Sequence, residues 1–291
     1  MSIRDVNRCF LIIVCIYLAG ASLVGLIAPA FLDSAAGSVL TAQGLILFST
    51  LLCCRMKRIR IRSFMRIRPV KWNVFLCGIA CTACVYPFLI LISSVVQLYF
   101  RSGTDSVSQE LYGGNLLLNL VIYALIPACA EELMNRGLLY HAYRQTCGAR
   151  SALILSSVLF GLFHMNLDQF AYTFFFGLFL CLLTEAAGSL LPAAVCHTAL
   201  NAITVISAWT KGNASVSAAA SAAAGGIVLC VCAVALIALF EFLLHFSGRK
   251  EAFTEAFSRE NTQKKERLFT AELIIGMGIC ILYMVIYEMV L

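Results

Sequence analysis

Residues 115–140 read NLLLNLVIYALIPACAEELMNRGLLY, an apolar run interrupted by Glu131, Glu132 and Arg136. The run is long enough to cross a bilayer, which takes ~20 residues in a helix. Charged side chains are costly at bilayer depth, and those found there usually belong to a functional site. The stretch therefore predicts a membrane helix that carries the chemistry of the protein.

The composition extends this prediction to the whole chain. Of its 291 residues, 61% are hydrophobic and 12% are charged, whereas a soluble domain is about half apolar and about a quarter charged. We expect an all-α, polytopic bundle of eight or nine transmembrane helices. The count depends on whether the last run spans the membrane. The runs fall at about 10–32, 37–54, 73–100, 115–140, 151–165, 169–187, 190–209, 218–246 and 269–291.

Three parts of one membrane domain follow from these runs. Residues 1–114 hold the N-terminal helices and a basic loop, residues 115–209 hold the helices with the polar motifs, and residues 210–291 hold the C-terminal helices. The fourteen cysteines lie mostly in the apolar runs, without the paired spacing of a zinc site, and are expected to pack as small apolar side chains.

The net charge of +6 is explained by topology and not by nucleic-acid binding. Eight basic residues lie between the second and third runs: Arg55, Lys57, Arg58, Arg60, Arg62, Arg66, Arg68 and Lys71. By the positive-inside rule this loop is cytoplasmic, and nine spans then put the N-terminus inside as well. We expect a multi-pass protein in contact with the lipid bilayer, and the short loops favour a bacterial plasma membrane.

Polar residues recur on three of the runs with helical spacing. Glu132 and Arg136 are one turn apart and can form an ion pair, while Glu131 lies about 100° round the helix and needs a polar cavity. His164 and His197 stand on later runs. At 1.5 Å per residue, Glu131 and both histidines lie roughly 11 to 21 Å from the cytoplasmic ends of their helices, near the middle of a ~30 Å core.

Two further residues share helix faces with the histidines. Asn201 follows His197 by one turn, and Phe160 precedes His164 by one turn. Asn201 could hold the His197 ring in one tautomer or help to bind an oxyanion. A purely structural reading also stands, in which the charges form a buried ion-pair network and the histidines are hydrogen-bonded core residues.

The motifs Glu131-Glu132-x-x-x-Arg136, Phe160-x-x-x-His164 and His197-x-x-x-Asn201 occur in this order on successive membrane runs. They resemble the CPBP family, which contains CAAX prenyl endopeptidases and bacterial Abi or bacteriocin-processing proteins. The resemblance covers residues 115–209, about a third of the chain.

The resemblance implies a role for each motif residue. Glu131 would activate the attacking water, and Glu132 would pair with Arg136, with Phe160 supporting the site. The catalytic set would be completed by His164, His197 and Asn201, as oxyanion stabilisers or, for the histidines, as metal ligands.

Whether a metal takes part is left open by these residues. His164, His197 and Glu131 could hold a zinc ion that keeps water in its fourth position. The chain lacks the compact His-Glu-x-x-His motif of many zinc proteases, which favours a site without a tightly bound metal.

The expected function is that of an intramembrane endopeptidase acting on a short or lipid-modified peptide, such as a prenylated peptide. Two alternatives come from other classes. One is a non-catalytic immunity or interaction protein of the same fold. The other is a secondary transporter with a buried proton relay, against which no internal repeat is found.

Overall fold

A computed structural model of the chain describes residues 1–100, 111, 114–211, 221–258 and 267–290. Every regular element within these ranges is a helix, and eight of the helices are long and apolar enough to span a membrane. The all-α, polytopic fold is therefore confirmed.

The helices that build the bundle are named here in chain order. They are α1 (Ile3–Ile27), α2 (Pro29–Asp33), α3 (Ala35–Met56), α4 (Ile61–Phe64), α5 (Trp72–Val96), α6 (Leu116–Asn119), π1 (Leu120–Leu125), α7 (Ile126–Glu132), π2 (Leu133–Tyr140), α8 (His141–Phe163), α9 (Leu167–Ala187), α10 (Leu191–Lys211), α11 (Ser221–Ser247), α12 (Lys250–Ser258) and α13 (Ala271–Val290).

The first membrane helix ends earlier than the apolar run predicted. It begins at Ile3, where Ser2 and Asp5 form a reciprocal capping box, and it ends at Ile27. Pro29 then opens α2. Proline has no backbone N–H, and it disfavours helical geometry in the residue before it. Ala28 accordingly leaves the helical region at φ −137°.

The segment from Leu116 to Phe163 is helical throughout but folds back on itself. Its 48 residues would measure about 72 Å if straight, more than twice the ~30 Å core. The backbone breaks at Gly148, whose φ of +84° is accessible mainly to glycine. Asn135 Nδ2 donates a hydrogen bond to the Ser156 carbonyl at 3.3 Å, so the two arms run side by side. The turn expected over 141–150 is thus a sharp break at Gly148.

The apolar run predicted a plain α-helix for the arm that carries the glutamates. The structure shows that this arm is not a plain α-helix. It contains two π-helical segments, π1 before Pro127 and π2 after Glu132. Pro127 lacks the N–H of a regular helical bond and its ring crowds the preceding turn, which the wider π geometry relieves. The second π segment lies directly beside the charged residues, a common place for π-bulges.

The basic segments meet at one end of the bundle. Leu190 N donates to the Arg66 carbonyl at 3.2 Å, and Ser189 Oγ donates to the Arg68 carbonyl at 2.6 Å. Arg249 Nε donates to the Glu185 carbonyl at 3.4 Å. The turn between α9 and α10 and the turn between α11 and α12 therefore share this end with the basic loop after α3.

The buried carboxylate of Glu185 serves as a counter-charge for this end. The Glu185 side chain is 2% exposed and lies 3.5 Å from both Arg66 Nη1 and Arg144 Nε. The Tyr140 hydroxyl also donates to it, at 3.2 Å. Burial, followed by the nearby Arg66 charge, lowers the pKa of the Arg249 guanidinium.

The N-terminus is tied to the same end. Lys57 forms an ion pair with Asp5, and Asn7 Nδ2 donates to the Leu268 carbonyl at 2.9 Å. Because the positive-inside rule assigns such basic ends to the cytoplasm, this is the end predicted to face the cytoplasm.

Reporter fusions test that orientation. A fusion after Arg62 should report the cytoplasmic side, and one after Asp105 should report the opposite side. Alkaline phosphatase activity paired with green fluorescence at each junction gives the measurement. An external signal after Arg62 would refute the predicted orientation.

Candidate active site

The structure brings Glu131, His164 and His197 together from three helices. Glu131 Oε2 lies 3.9 Å from His164 Nε2 and 3.8 Å from His197 Nε2. Glu131 stands near the end of α7, His164 directly follows α8, and His197 lies in α10. The three side chains that the sequence placed at similar depth therefore do converge.

A small cavity adjoins this convergence. Its volume is about 120 Å³, enough for water molecules. Polar groups in its wall come from Tyr17, Gln43, Glu131 and His164, and the remaining wall is apolar. Glu131 thus borders the polar cavity that its unpaired charge required.

His164 is held by the backbone of its own helix. Its Nδ1 lies 2.8 Å from the Phe160 carbonyl oxygen, which can only accept a hydrogen bond. Nδ1 must therefore carry the proton, and Nε2 of the neutral ring is an acceptor. The Phe160 ring meets the His164 ring edge to face at 4.8 Å between centroids.

Glu132 is buried, and its Oε1 contacts both Arg136 and His197, while its Oε2 has no hydrogen-bond partner among the described residues. Arg136 Nη1 donates to Glu132 Oε1 at 2.7 Å, and neither side chain is exposed to solvent. The ion pair expected from the one-turn spacing is therefore present. Arg136 also lies over the Phe160 ring, 4.4 Å from its centroid, an arrangement that stabilises a desolvated guanidinium.

The second nitrogen of Arg136 ties this pair to α9. Arg136 Nη2 donates to the Gly177 carbonyl at 3.1 Å. Glycine at 177 favours this close approach of the helices, because an added Cβ would lie 3.1 Å from Ser157 Cβ and 3.3 Å from the Phe160 ring, and these neighbours would have to move by a few tenths of an ångström.

Glu132 also fixes His197, which the sequence did not predict. His197 Nδ1 lies 2.9 Å from Glu132 Oε1. Of the two roles expected for Asn201, holding the His197 ring therefore falls to Glu132 instead. Asn201 is half-buried one turn further along α10. A sequence pattern cannot reveal the Glu132–His197 bond because it joins helices 65 positions apart.

The two histidines and Glu131 therefore form a cluster of hydrogen-bond acceptors that face one another. Both Nδ1 atoms face oxygen acceptors, so His164 Nε2 and His197 Nε2 present lone pairs towards the carboxylate Oε2 of Glu131. Three acceptors without a proton or cation between them are electrostatically unfavourable. The arrangement suits a donor of two hydrogens such as water, an added proton or a cation.

Gln43 is a site residue that the motifs missed. It belongs to α3, and its Nε2 donates to Glu131 Oε1 at 2.9 Å. The available signal was an amide side chain inside the apolar run 37–54, since polar groups at bilayer depth often mark function.

The predicted metal ligands fit a divalent cation in chemistry more closely than in spacing. Imidazole nitrogens backed by Nδ1 hydrogen bonds, together with a carboxylate, are common zinc ligands. Zinc bonds of ~2.0 Å in a tetrahedral site put ligand atoms about 3.3 Å apart, and the Glu131 distances to His164 and His197 are 3.9 and 3.8 Å. The described residues contain no group of three or more His, Cys, Asp or Glu already placed to hold a metal.

Comparison with known proteins places this site in a family. Residues 113–203 match the family described as Rce1-like, type II CAAX prenyl endopeptidase, and the matched segment contains every residue of the three motifs. No curated protein matches the chain, and neither does any solved structure. The fold and the match define an integral, multi-pass membrane protein of the intramembrane protease class. The match covers about a third of the chain and confirms the resemblance of this segment to the CPBP family.

The buried pair gives a testable consequence for stability. Glu132→Ala leaves Arg136 buried without its counter-charge, which should destabilise the fold by ~3 to 5 kcal/mol. Thermal unfolding of the purified protein in detergent measures the loss. Glu241→Ala is the matched control, since Glu241 is an exposed helical glutamate paired with Lys250 and should change stability little. A Glu132→Ala protein that melts like its parent would show that the pair does not support the fold.

Proposed function

We propose that the protein is an intramembrane endopeptidase in which Glu131 activates water for attack on a peptide bond. The observation that carries this proposal is the approach of Glu131 Oε2 to both His164 Nε2 and His197 Nε2 beside a small cavity. Glu132 is occupied by Arg136. Glu131 is therefore the carboxylate left to act as a base.

The reaction requires a proton to move from water to a base and then to the leaving amine. Glu131 takes the proton from the water as the hydroxide oxygen bonds to the peptide carbonyl carbon. The negative charge then develops on the carbonyl oxygen, where hydrogen-bond donors stabilise it. We assign Asn201, whose amide can donate, to this oxygen.

The two histidines are suited to different tasks. His197 Nδ1 contacts the Glu132 carboxylate, whereas His164 Nδ1 contacts a neutral carbonyl. A carboxylate partner stabilises an imidazolium, as in the serine protease triad. We therefore propose that His197 Nε2 takes from Glu131 the proton removed from the water, so that His197 carries the positive charge, and then delivers that proton to the leaving amine as the peptide C–N bond breaks. His164 would orient the water through its acceptor Nε2.

The proposed substrate is a short or lipid-modified peptide, in particular a prenylated C-terminal peptide. The family description names a CAAX prenyl endopeptidase, and a site within membrane-spanning helices is reachable by a substrate held in the bilayer. No metal enters these steps. If one binds, His164, His197 and Glu131 would hold it, and it would supply a more acidic water.

Cleavage of a farnesylated peptide by purified protein in detergent tests the base. Glu131→Gln keeps the shape of the side chain but removes the carboxylate, so activity should fall by at least the ~10²- to 10⁴-fold that general-base catalysis contributes. His164→Ala and His197→Ala should also reduce turnover, and the losses should not add if the residues act as a unit.

Glu241→Gln serves as the control for an exchanged membrane-helix glutamate and should retain parental activity. Undiminished cleavage by Glu131→Gln would show that Glu131 is not the general base. A cellular phenotype that persists in Glu131→Gln would favour the non-catalytic, partner-binding alternative.

A further inference from the structure

Gln43 is a polar residue of α3 that contacts Glu131 at the candidate site. The residue is 8% exposed and lines the cavity next to Glu131. It lies in α3, outside the residues 113–203 that match the family. Any role for Gln43 is therefore additional to the three motifs.

The orientation of the amide follows from its partner. A carboxylate accepts hydrogen bonds, so the nitrogen of Gln43 must be the end that faces Glu131 Oε1, at 2.9 Å. This bond holds Oε1, while the other oxygen, Oε2, approaches the two histidines. The side chain thus selects which oxygen of Glu131 is free to act.

The other end of the amide is unsatisfied. Gln43 Oε1 is buried and has no hydrogen-bond partner among the described residues. Leaving a buried acceptor unpaired is unfavourable. A ligand that brings an N–H group to this oxygen would remove that penalty. Extended peptides carry such groups along their backbone.

We propose that Gln43 binds the substrate through Oε1, which accepts a backbone N–H near the scissile bond, and positions Glu131 through Nε2. The inference rests on the proposed function and adds a peptide-binding contact to it. It also makes α3, which precedes the family segment, a part of the site.

Kinetics of Gln43→Met test both contacts. Methionine is close to glutamine in length but removes the donor and the acceptor, so kcat should fall because Glu131 loses its orientation. KM should rise because the peptide loses its acceptor. We expect kcat/KM to fall roughly 5- to 100-fold, from the cost of unmade buried hydrogen bonds. Gln97→Met is the control, because Gln97 is an exposed glutamine that directly follows α5 and is bonded to Ser93.

A series of ester-containing substrates separates binding from a general structural effect. Each peptide replaces one backbone N–H near the scissile bond by an ester oxygen. One position should impair cleavage by the parent yet add no further loss in Gln43→Met, because the two changes remove the same contact. If Gln43→Met does not accumulate, Gln43→Asn replaces it, since an amide one methylene shorter cannot reach both partners.

The outcomes distinguish this inference from the function on which it rests. Cleavage by the parent that is lost in Glu131→Gln supports the function alone. With that result in hand, kcat/KM of Gln43→Met within twofold of the parent would overturn the role of Gln43. The peptide contact would be overturned if each ester replacement reduced cleavage by the same factor in the parent and in Gln43→Met, at every position. A parent that cleaves no peptide overturns both proposals.

Discussion

The ion pair between Glu132 and Arg136 is the interaction on which the site depends. A charge in a membrane interior is tolerated when it is paired and hydrogen-bonded. Here the pair is closed at 2.7 Å with both side chains fully buried. Arg136 extends the network to the Phe160 ring and the Gly177 carbonyl, and Glu132 extends it to His197. One pair of charges thereby aligns four segments of the bundle.

The pair also divides the work between two adjacent glutamates. Their side chains point in different directions, so neighbouring positions reach separate environments. Glu132 is committed to structure, while Glu131 borders a cavity and faces lone pairs of two imidazoles. In our account the same network that neutralises Glu132 prepares His197 to carry charge, so stability and catalysis share one set of contacts.

The sequence predicted the parts of this arrangement that depend on local spacing. The Glu132–Arg136 pair follows from a one-turn separation, and the convergence of Glu131 with the histidines agrees with their similar depths along separate runs. Contacts between helices that are distant in sequence could not be predicted from local spacing. The Glu132–His197 bond and the Gln43–Glu131 bond depend on how α3 and α10 pack against α7. The early end of α1 was also missed, although Pro29 was its visible cause.

The central claim is that Glu131, His164 and His197 hold a reactive water. An experimental map that resolves ordered solvent at the site tests it most directly. We predict a density peak about 2.7 to 3.2 Å from Glu131 Oε2 and from at least one imidazole Nε2, the distances of hydrogen bonds. A peak ~2.0 Å from all three atoms would instead identify a metal. Side chains too far apart to share one water would contradict the account.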